Sequence, residues 1–394
     1  MNSVEGNTLP KGWVKRKLGE VFKDISSGFA CSKRFEKDGG YVHLRTHNIS
    51  TQGVLNFDKI IQIEESKVNR KSSKIYKGDV IFNNTNSTEL VGKTSFVDKD
   101  YNYGFSNHLT RIKTSDFSQG KYLTYFLTHL HQQGHFFRIC KKWIGQSGVN
   151  SSMLKDLNYY YPPLEEQKRI VAKIDTLFAK IDKAISLTEE SLKQAKNLLP
   201  SVLKEVFEKG KADGWEEKKL TEVCEKIFAG GDKPKDYFSK TKTDECSIPI
   251  FSNGIKEDGL YGYTKEPKVI KPSVTISARG TIGYTVYRTE PFVPIIRLIV
   301  LTPNQEIVSA NFLMIVIKNL EILNVGSAIP QLTIPMIKNY SVLVPNQDIQ
   351  EKISDLVGIY ETKITQTQSK LEEQLAYLKQ LKSSILSKAF KGEL

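Results

Sequence analysis

Cysteine is scarce in this 394-residue chain: Cys31, Cys140, Cys224 and Cys246 are all there is, and no two form a CxxC pair. A disulfide framework or a zinc knuckle needs more sulfur, closer together, so a reducing, cytoplasmic setting is expected. Long apolar runs are missing too. None reaches the ~18 residues that a membrane-spanning helix needs, and Met1 to Pro10 lacks a basic-then-apolar leader pattern. Acidic charge is in deficit: 44 Asp and Glu against 57 Lys and Arg leave a net charge of +13. That balance suits an anionic partner, either nucleic acid or a membrane surface. The remaining composition, 39% hydrophobic and 26% charged, is that of ordinary globular domains, and the length predicts two or three of them.

What is present is a repeat. Gly12-Trp13 and Gly214-Trp215 open two similar stretches, GWVKRKLGEVFKDISSG and GWEEKKLTEVCEKIFAG, aligned at an offset of 202. A second match starts at Pro162 and Pro345, at an offset of 183, and runs without a gap to Phe207 and Phe390. It pairs Gln167 with Gln350, Ile170 with Ile353, Ile181 with Ile364, Leu192 with Leu375 and Leu203 with Leu386. The stretch between the two matches is 19 residues shorter in the second copy. The order is therefore variable domain, constant segment, variable domain, constant segment.

The constant segments read as helices. Ile170, Ile174, Leu177 and Ile181 recur in alternating steps of four and three, a heptad seam. A step of four to Ile185 shifts the register, and the seam resumes at Leu192. The second copy offers Ile353, Val357, Tyr360 and Ile364, then Leu371, Leu375 and Leu378. Pro200 is expected to kink the first helix or begin a new one. Each helix spans roughly 70 Å at 1.5 Å per residue. A narrow apolar stripe of that length is left wet unless the two helices pack on each other. The fold expected is α+β: globular domains at 1–163 and 210–345, joined by long helices at 164–209 and 346–394 that form an antiparallel coiled coil with pseudo-twofold repetition.

The helices are nearly neutral. Residues 164–209 carry nine basic and eight acidic side chains, and 346–391 carry seven and six. The excess positive charge therefore sits in the variable domains, which favours a phosphate backbone over a membrane, since a membrane-binding helix concentrates cations on its own face. Asn83 to Leu90 and Ala278 to Gly283 read as polar or glycine-containing loops between strands, suited to close approach. Arg279 is the preferred single contact, because a guanidinium reads guanine with two hydrogen bonds or clamps a phosphate. Thr281, Lys33, Arg34, Arg45, His47, Asn83 and Asn107 complete the candidate DNA contacts.

Enzyme patterns fail on inspection. Gly92-Lys93-Thr94 ends like a P-loop, but position 87 is serine where a glycine is required. Tyr161-Pro162-Pro163-Leu164 resembles the tetrapeptide of amino-methyltransferases, yet lacks the polar first residue and the aromatic last one. Glu65-Ser66-Lys67 and Glu266-Pro267-Lys268 have nuclease-like ExK spacing, a weak signal in a chain rich in both residues. His129, His131 and His135 fall on an expected helix from Lys121 to Trp143 with no carboxylate or cysteine to complete a zinc set. No catalytic or metal-binding residue is expected.

These features together resemble the specificity subunit of type I restriction-modification systems. The resemblance covers nearly the whole chain. It rests on Gly12 to Val21 and Gly214 to Val223, on Ser-Ala-Arg-Gly-Thr-Ile-Gly at Ser277 to Gly283, on Pro162 to Ile170, and on Ser384 to Leu394. It implies a non-catalytic subunit whose two target-recognition domains each read one half of a bipartite, asymmetric site in double-stranded DNA. The helices would set the unread gap and dock two methyltransferase subunits. Those partners would bring S-adenosylmethionine, and restriction subunits with translocase activity would bring ATP and magnesium. The chain itself would hold no cofactor. A methylation-only or related restriction system remains the alternative, with a self-sufficient methyltransferase or nuclease behind it.

Overall fold

The computed structural model describes residues 9–68, 74–320 and 331–394, so the leader reading of Met1 to Pro10 lies almost wholly outside the described residues. The chain is mixed α+β and divides into two units, Met1–Thr188 with Glu373–Leu394, and Glu189–Glu372.

Unit one begins with strands β1 (Val14–Lys17), β2 (Asp24–Ser27), β3 (Glu36–Leu44), β4 (Gln62–Ile63), β5 (Val80–Asn83), β6 (Thr85–Asn86), β7 (Thr94–Phe96), β8 (Gly104–Phe105) and β9 (Leu109–Lys113). Helices α1 (Phe117–Gln132) and α2 (His135–Ile139) follow, then β10 (Lys141–Trp143), β11 (Gln146–Gly148), α3 (Ser151–Lys155), β12 (Asn158–Tyr161) and the long α4 (Leu164–Ala212). The central sheet has the order β2-β9-β5-β7, and a second has the order β4-β3-β8. The strand β5 shows why both faces of the central sheet are covered. Successive side chains point to opposite faces of a strand. Val80 and Phe82 accordingly enter the main core with Tyr122 and Phe126 of α1, while Ile81 joins Leu44, Ile49 and Phe105 on the other side.

Unit two repeats the plan with β13 (Glu216–Lys219), α5 (Leu220–Val223), β14 (Cys224–Ala229), β15 (Phe238–Ser239), β16 (Ile248–Phe251), β17 (Leu260–Thr264), β18 (Ser273–Ile276), β19 (Thr285–Arg288), β20 (Val293–Pro294) and β21 (Ile299–Pro303). After these come α6 (Ala310–Asn319), α7 (Ile334–Lys338), β22 (Ser341–Val344) and α8 (Gln347–Lys391). Its central sheet is β14-β21-β18-β19. The alternation recurs on β21, with Ile299 and Leu301 in the main core and Val300 in a separate cluster with Phe292.

One ladder closes each domain at the foot of a long helix. β1 pairs antiparallel with β12, Val14 opposite Tyr161, and β13 pairs with β22, Glu216 opposite Val344. These partners are related by the same offsets, 202 and 183, that align the sequence copies. Immediately after each ladder a buried glutamine donates to the carbonyl of the proline five residues before it: Gln167 to Pro162 O at 2.8 Å, and Gln350 to Pro345 O at 2.9 Å.

Within unit one, Ile170, Val171, Ile174 and Ile181 of α4 share a core with Ile385, Leu386, Ala389 and Phe390 of α8, with Leu177 and Leu378 beside them. Arg169 Nη2 donates to Leu394 O at 2.8 Å, and Lys382 Nζ meets Asp182 Oδ1 at 2.5 Å. A rising number on α4 meets a falling one on α8, so the two segments run antiparallel there. Within unit two, Leu203 shares a core with Ile353 and Val357. Leu192, Tyr360, Ile364, Leu371 and Leu375 are only half-buried.

Two helix expectations, a new helix beginning at Pro200 and an unbroken helix from Lys121 to Trp143, differ from the structure. Pro200 lies inside α4, which neither ends nor restarts there. The residue is exposed, and so is Lys196, whose carbonyl loses its partner, so that carbonyl lies on a turn open to solvent. The helix expected from Lys121 to Trp143 is instead α1, α2 and a strand. Gly134 takes a left-handed φ of +68°, which ends the first helix as only glycine does readily.

Candidate nucleic-acid interface

In each central sheet, alternate strands start or end at a common edge, so loops distant in sequence converge there. In unit one these are the segments after Ser27, after Asn83 and before Leu109. Gly28 makes the convergence possible. A Cβ on it would lie 2.0 Å from Phe105 O, a contact no side chain tolerates. With that gap closed, Phe29 N donates to Phe105 O at 3.0 Å and Asn107 N to Phe29 O at 3.2 Å. Asn84 ties in the third segment, its Nδ2 donating to Asn107 O at 3.1 Å and to Thr110 Oγ1 at 2.8 Å.

The basic candidates attach to the same framework. Arg45 Nη2 donates to Cys31 O at 3.1 Å, next to the exposed Lys33 and Arg34. Arg34 lies over the Phe35 ring at 4.7 Å. His47 is exposed and its Nε2 donates to Lys59 O at 3.1 Å. Beneath them, buried Lys93 donates to Thr46 O at 3.0 Å and Ile49 O at 2.5 Å. The P-loop-like lysine is thus a strut for the Arg45–His47 turn, and burial lowers its pKa. His43 is also internal, donating from Nε2 to Phe29 O. Burial, then the charge of Arg45, pull its pKa down to about 4. Asn107 is exposed, whereas Asn83 is not. Asn83 is fully buried with its Nδ2 on Leu90 O at 3.3 Å, which removes it from the surface contacts and makes it a support for the loop.

Unit two presents the equivalent edge. Gly230 replaces Gly28, and a Cβ there would lie 2.6 Å from the Pro294 carbonyl carbon. Arg279 is exposed, and its Nη2 donates to Gln331 Oε1 at 3.0 Å. Thr281 is exposed beside it, in a turn with Gly280 at φ +70° and Gly283 at φ +87°.

Sequence reasoning missed two features. The first is Ile296-Arg297, both exposed and both in left-handed backbone, at φ +52° and +60°. A β-branched residue there is an outlier, and each such residue costs about 1–3 kcal/mol. Hydrogen bonds hold the pair in place: Ile296 N to Gly231 O at 2.9 Å and Arg297 N to Gly230 O at 3.0 Å. Asn253 then joins this loop to the Arg279 loop, donating to Ile296 O at 2.6 Å and accepting from Ala278 N at 2.7 Å. The structure therefore brings the Arg279 and Arg297 loops together. The paired bridges Phe29–Ser106 and Gly231–Ile295 place Asn107-His108 opposite Ile296-Arg297 in the repeat, at an offset of 189 that neither sequence match contains. The second missed feature is the ribbon β10–β11, hidden by the helix expectation.

No group of three His, Cys, Asp or Glu able to hold a metal exists among the described residues. His129 stacks on Phe390 at 5.4 Å, and burial, with the charge of Lys391, lowers its pKa to about 4. No described helix is long and apolar enough to cross a membrane.

A family model described as the type I restriction modification DNA specificity domain matches residues 10–194 and again residues 212–377. The chain belongs to that family. A putative type I specificity subunit of Mycoplasma pneumoniae, S.MpnORF507P, is 33% identical over 209 residues, 52% of this chain and 56% of that protein. The match thus spans about half the length of that relative. The putative MjaX specificity subunit of Methanocaldococcus jannaschii is 27% identical over 307 residues, 71% of this chain and 69% of that one. The fold is shared with the HsdS subunit from Thermoanaerobacter tengcongensis, with a TM-score of 0.60 at 23% identity over 99% of both chains. A chain from a study of complex assembly in a type I system reaches 0.76 at 23% identity, covering 98% of this chain and 100% of that one.

Proposed function

We propose that each unit reads one half of a bipartite, asymmetric site in double-stranded DNA, using the loops gathered at the edge of its central sheet. Unit one contributes Lys33, Arg34, Arg45, His47 and Asn107; unit two contributes Arg279, Thr281 and Arg297. The observation that carries this reading is a repeated frame with unrepeated loops. The β1–β12 and β13–β22 ladders match residue for residue, while the edges they support differ in length and chemistry. Two equivalent frames with different edges suit two different half-sites.

The target-recognition domains are residues 1–163 and 210–345 in this reading. Helices 164–209 and 346–394 form an antiparallel coiled coil that relates the copies by a pseudo-twofold, fixes the unread gap and docks two methyltransferase subunits. S-adenosylmethionine belongs to those subunits, ATP and magnesium to restriction subunits, and the assembly works in the cytoplasm.

A methylome of the producing cells with and without this gene tests the reading. A two-part motif should vanish with the gene. Methylation or cleavage by the purified chain alone would overturn it. Inserting four residues into both helices, near Leu187 and Lys370, lengthens each by about 6 Å. The gap in the motif should then widen by about one to two base pairs, at 3.4 Å per pair.

A further inference from the structure

Between Asp116 and Asp156 the sequence carries no acidic residue, while Lys121, Arg138, Lys141, Lys142 and Lys155 all fall within it. In the second half of this acid-free stretch stands the ribbon β10–β11. Its rungs are Lys141 opposite Gly148, Lys142 opposite Ser147 and Trp143 opposite Gln146, leaving Ile144 and Gly145 as the turn. Ile144 is fully exposed, and a Cβ on Gly145 would meet nothing within 4 Å. The tip therefore stands clear of the domain.

The ribbon's base is fixed. β11 pairs with β6, Ser147 opposite Asn86. Ser147 Oγ and Thr88 Oγ1 are hydrogen-bonded at 2.8 Å, and Val149 N donates to Asn84 O at 2.9 Å. Trp143 lies so close over Gly148 that a Cβ there would sit 2.8 Å from its ring. Lys141 and Trp143 wall a cleft of about 320 Å³ that Asn84 and Asn107 also line. Lys142, on the alternate face, lies 4.9 Å from the Phe137 ring.

We propose that this ribbon is a finger that enters the major groove of duplex DNA. Ile144 packs on a base edge, and Lys141 and Lys142 engage the flanking phosphates. The proposal rests on unit one being a DNA reader. The major groove, about 12 Å wide, admits a two-stranded ribbon, and its thymine methyl groups are partners for an apolar side chain. The exposed amide of Asn107 at the finger's foot matches the adenine edge. A protein partner is disfavoured because lysine is depleted at protein–protein interfaces, whereas two lysines flank this tip.

The test uses the full chain assembled with its modification subunits and a duplex carrying the methylome-defined site. Replacing Ile144 by the photo-crosslinker p-benzoylphenylalanine should yield a crosslink to bases of one half-site only. K141A/K142A should make the slope of log affinity against log salt shallower by about two, as expected for two lost phosphate contacts. A crosslink to a protein subunit, or none while the duplex stays bound, overturns the finger and leaves the DNA-reading function standing. Affinity that responds to inosine in place of guanine but not to 7-deazapurines places the tip in the minor groove and also overturns the proposal. A complex that fails to bind the duplex at all overturns both readings.

Discussion

The two units share a frame but carry different chemistry. All six histidines of the chain, from His43 to His135, lie in unit one. Every non-glycine residue in left-handed backbone among the described residues lies in unit two: Tyr237, Glu257, Asp258, Ile296 and Arg297. Unit one follows its sheet with a 16-residue helix and the ribbon, whereas the corresponding α6 has ten residues. The positions that match are those that close a domain onto a helix: the ladder strands, the buried glutamine, and the glycine of close approach. Those that diverge lie on the edge loops. Packing constrains the first set through volume and hydrogen bonding, whereas the edge loops are held by hydrogen bonds particular to each unit, such as Lys93 under the Arg45–His47 turn and Asn253 between the Arg279 and Arg297 loops.

The largest break in this symmetry is expected where the helix ends meet the two cores. Phe390 is buried, with Tyr122 and Phe126 each at 5.4 Å. Its counterpart Phe207 is only partly buried, at 6.1 Å from Trp215 and 6.2 Å from Phe312. Phe390→Ala should cost about 3–5 kcal/mol, and Phe207→Ala clearly less. Urea unfolding of the two variants measures both. Equal losses would show that the helix ends are interchangeable.

Next comes base readout. Arg279→Ala should cost about 1–3 kcal/mol in affinity and relax one half of the motif while the other half stays sharp. Competition with duplexes mutated in each half measures this. Relaxation of both halves would contradict the division of labour.

Much of this frame was legible in the sequence, because the repeat exposes it twice. The offsets 202 and 183 mark the strands that pair, and the heptad seam marks α4 and α8. The edges were less legible for physical reasons. Asn83 reads as a loop asparagine, but its burial depends on Leu90 returning across a turn. Gly92-Lys93-Thr94 could be rejected as a P-loop, but the buried strut that Lys93 forms could not be read, because its carbonyl partners lie more than 40 residues away in sequence. Lys141-Lys142-Trp143 continues a helical pattern unless Gly134 is taken as a stop. Left-handed Ile296 could not be foreseen at all, because local preference opposes it and only tertiary hydrogen bonds impose it.

Acid should separate the units by a smaller margin. The folded-state pKa of His43 is about 4, below its ordinary 6.5. The unfolded chain therefore binds the extra proton first. The associated stability is present above pH 6.5 and is lost as pH falls from 6.5 towards 4. By pH 5.5 the loss from His43 alone is about 1.4 kcal/mol. His129, His131 and His135 are shifted the same way by burial. Unit two has no histidine to contribute. Hydrogen exchange read peptide by peptide at pH 7 and 5.5, corrected for intrinsic rates, should show protection falling in unit one and holding in unit two. Parallel loss in both would mean that the buried histidines are not responsible.

The smallest effect tests the most faithfully repeated detail. Gln167 and Gln350 occupy the same place in the repeat, yet they are not equally satisfied. Gln350 donates to Pro345 O and Ile307 O and accepts from Ser309 N, at 2.8–3.0 Å. Gln167 donates to Pro162 O alone among the described residues, and its buried Oε1 has no partner. Removing a side chain costs the desolvation of every buried group it leaves behind, about 1–3 kcal/mol. Gln350→Leu leaves one buried carbonyl, Pro345 O, and two partly buried groups, Ile307 O and Ser309 N, without their partner, whereas Gln167→Leu leaves Pro162 O alone and also removes an unsatisfied oxygen. Gln350→Leu should therefore destabilise by more than about 1 kcal/mol and Gln167→Leu by less, as measured by urea midpoints at constant slope. The reverse order would mean that the two glutamines share a position in the repeat but not a structural task.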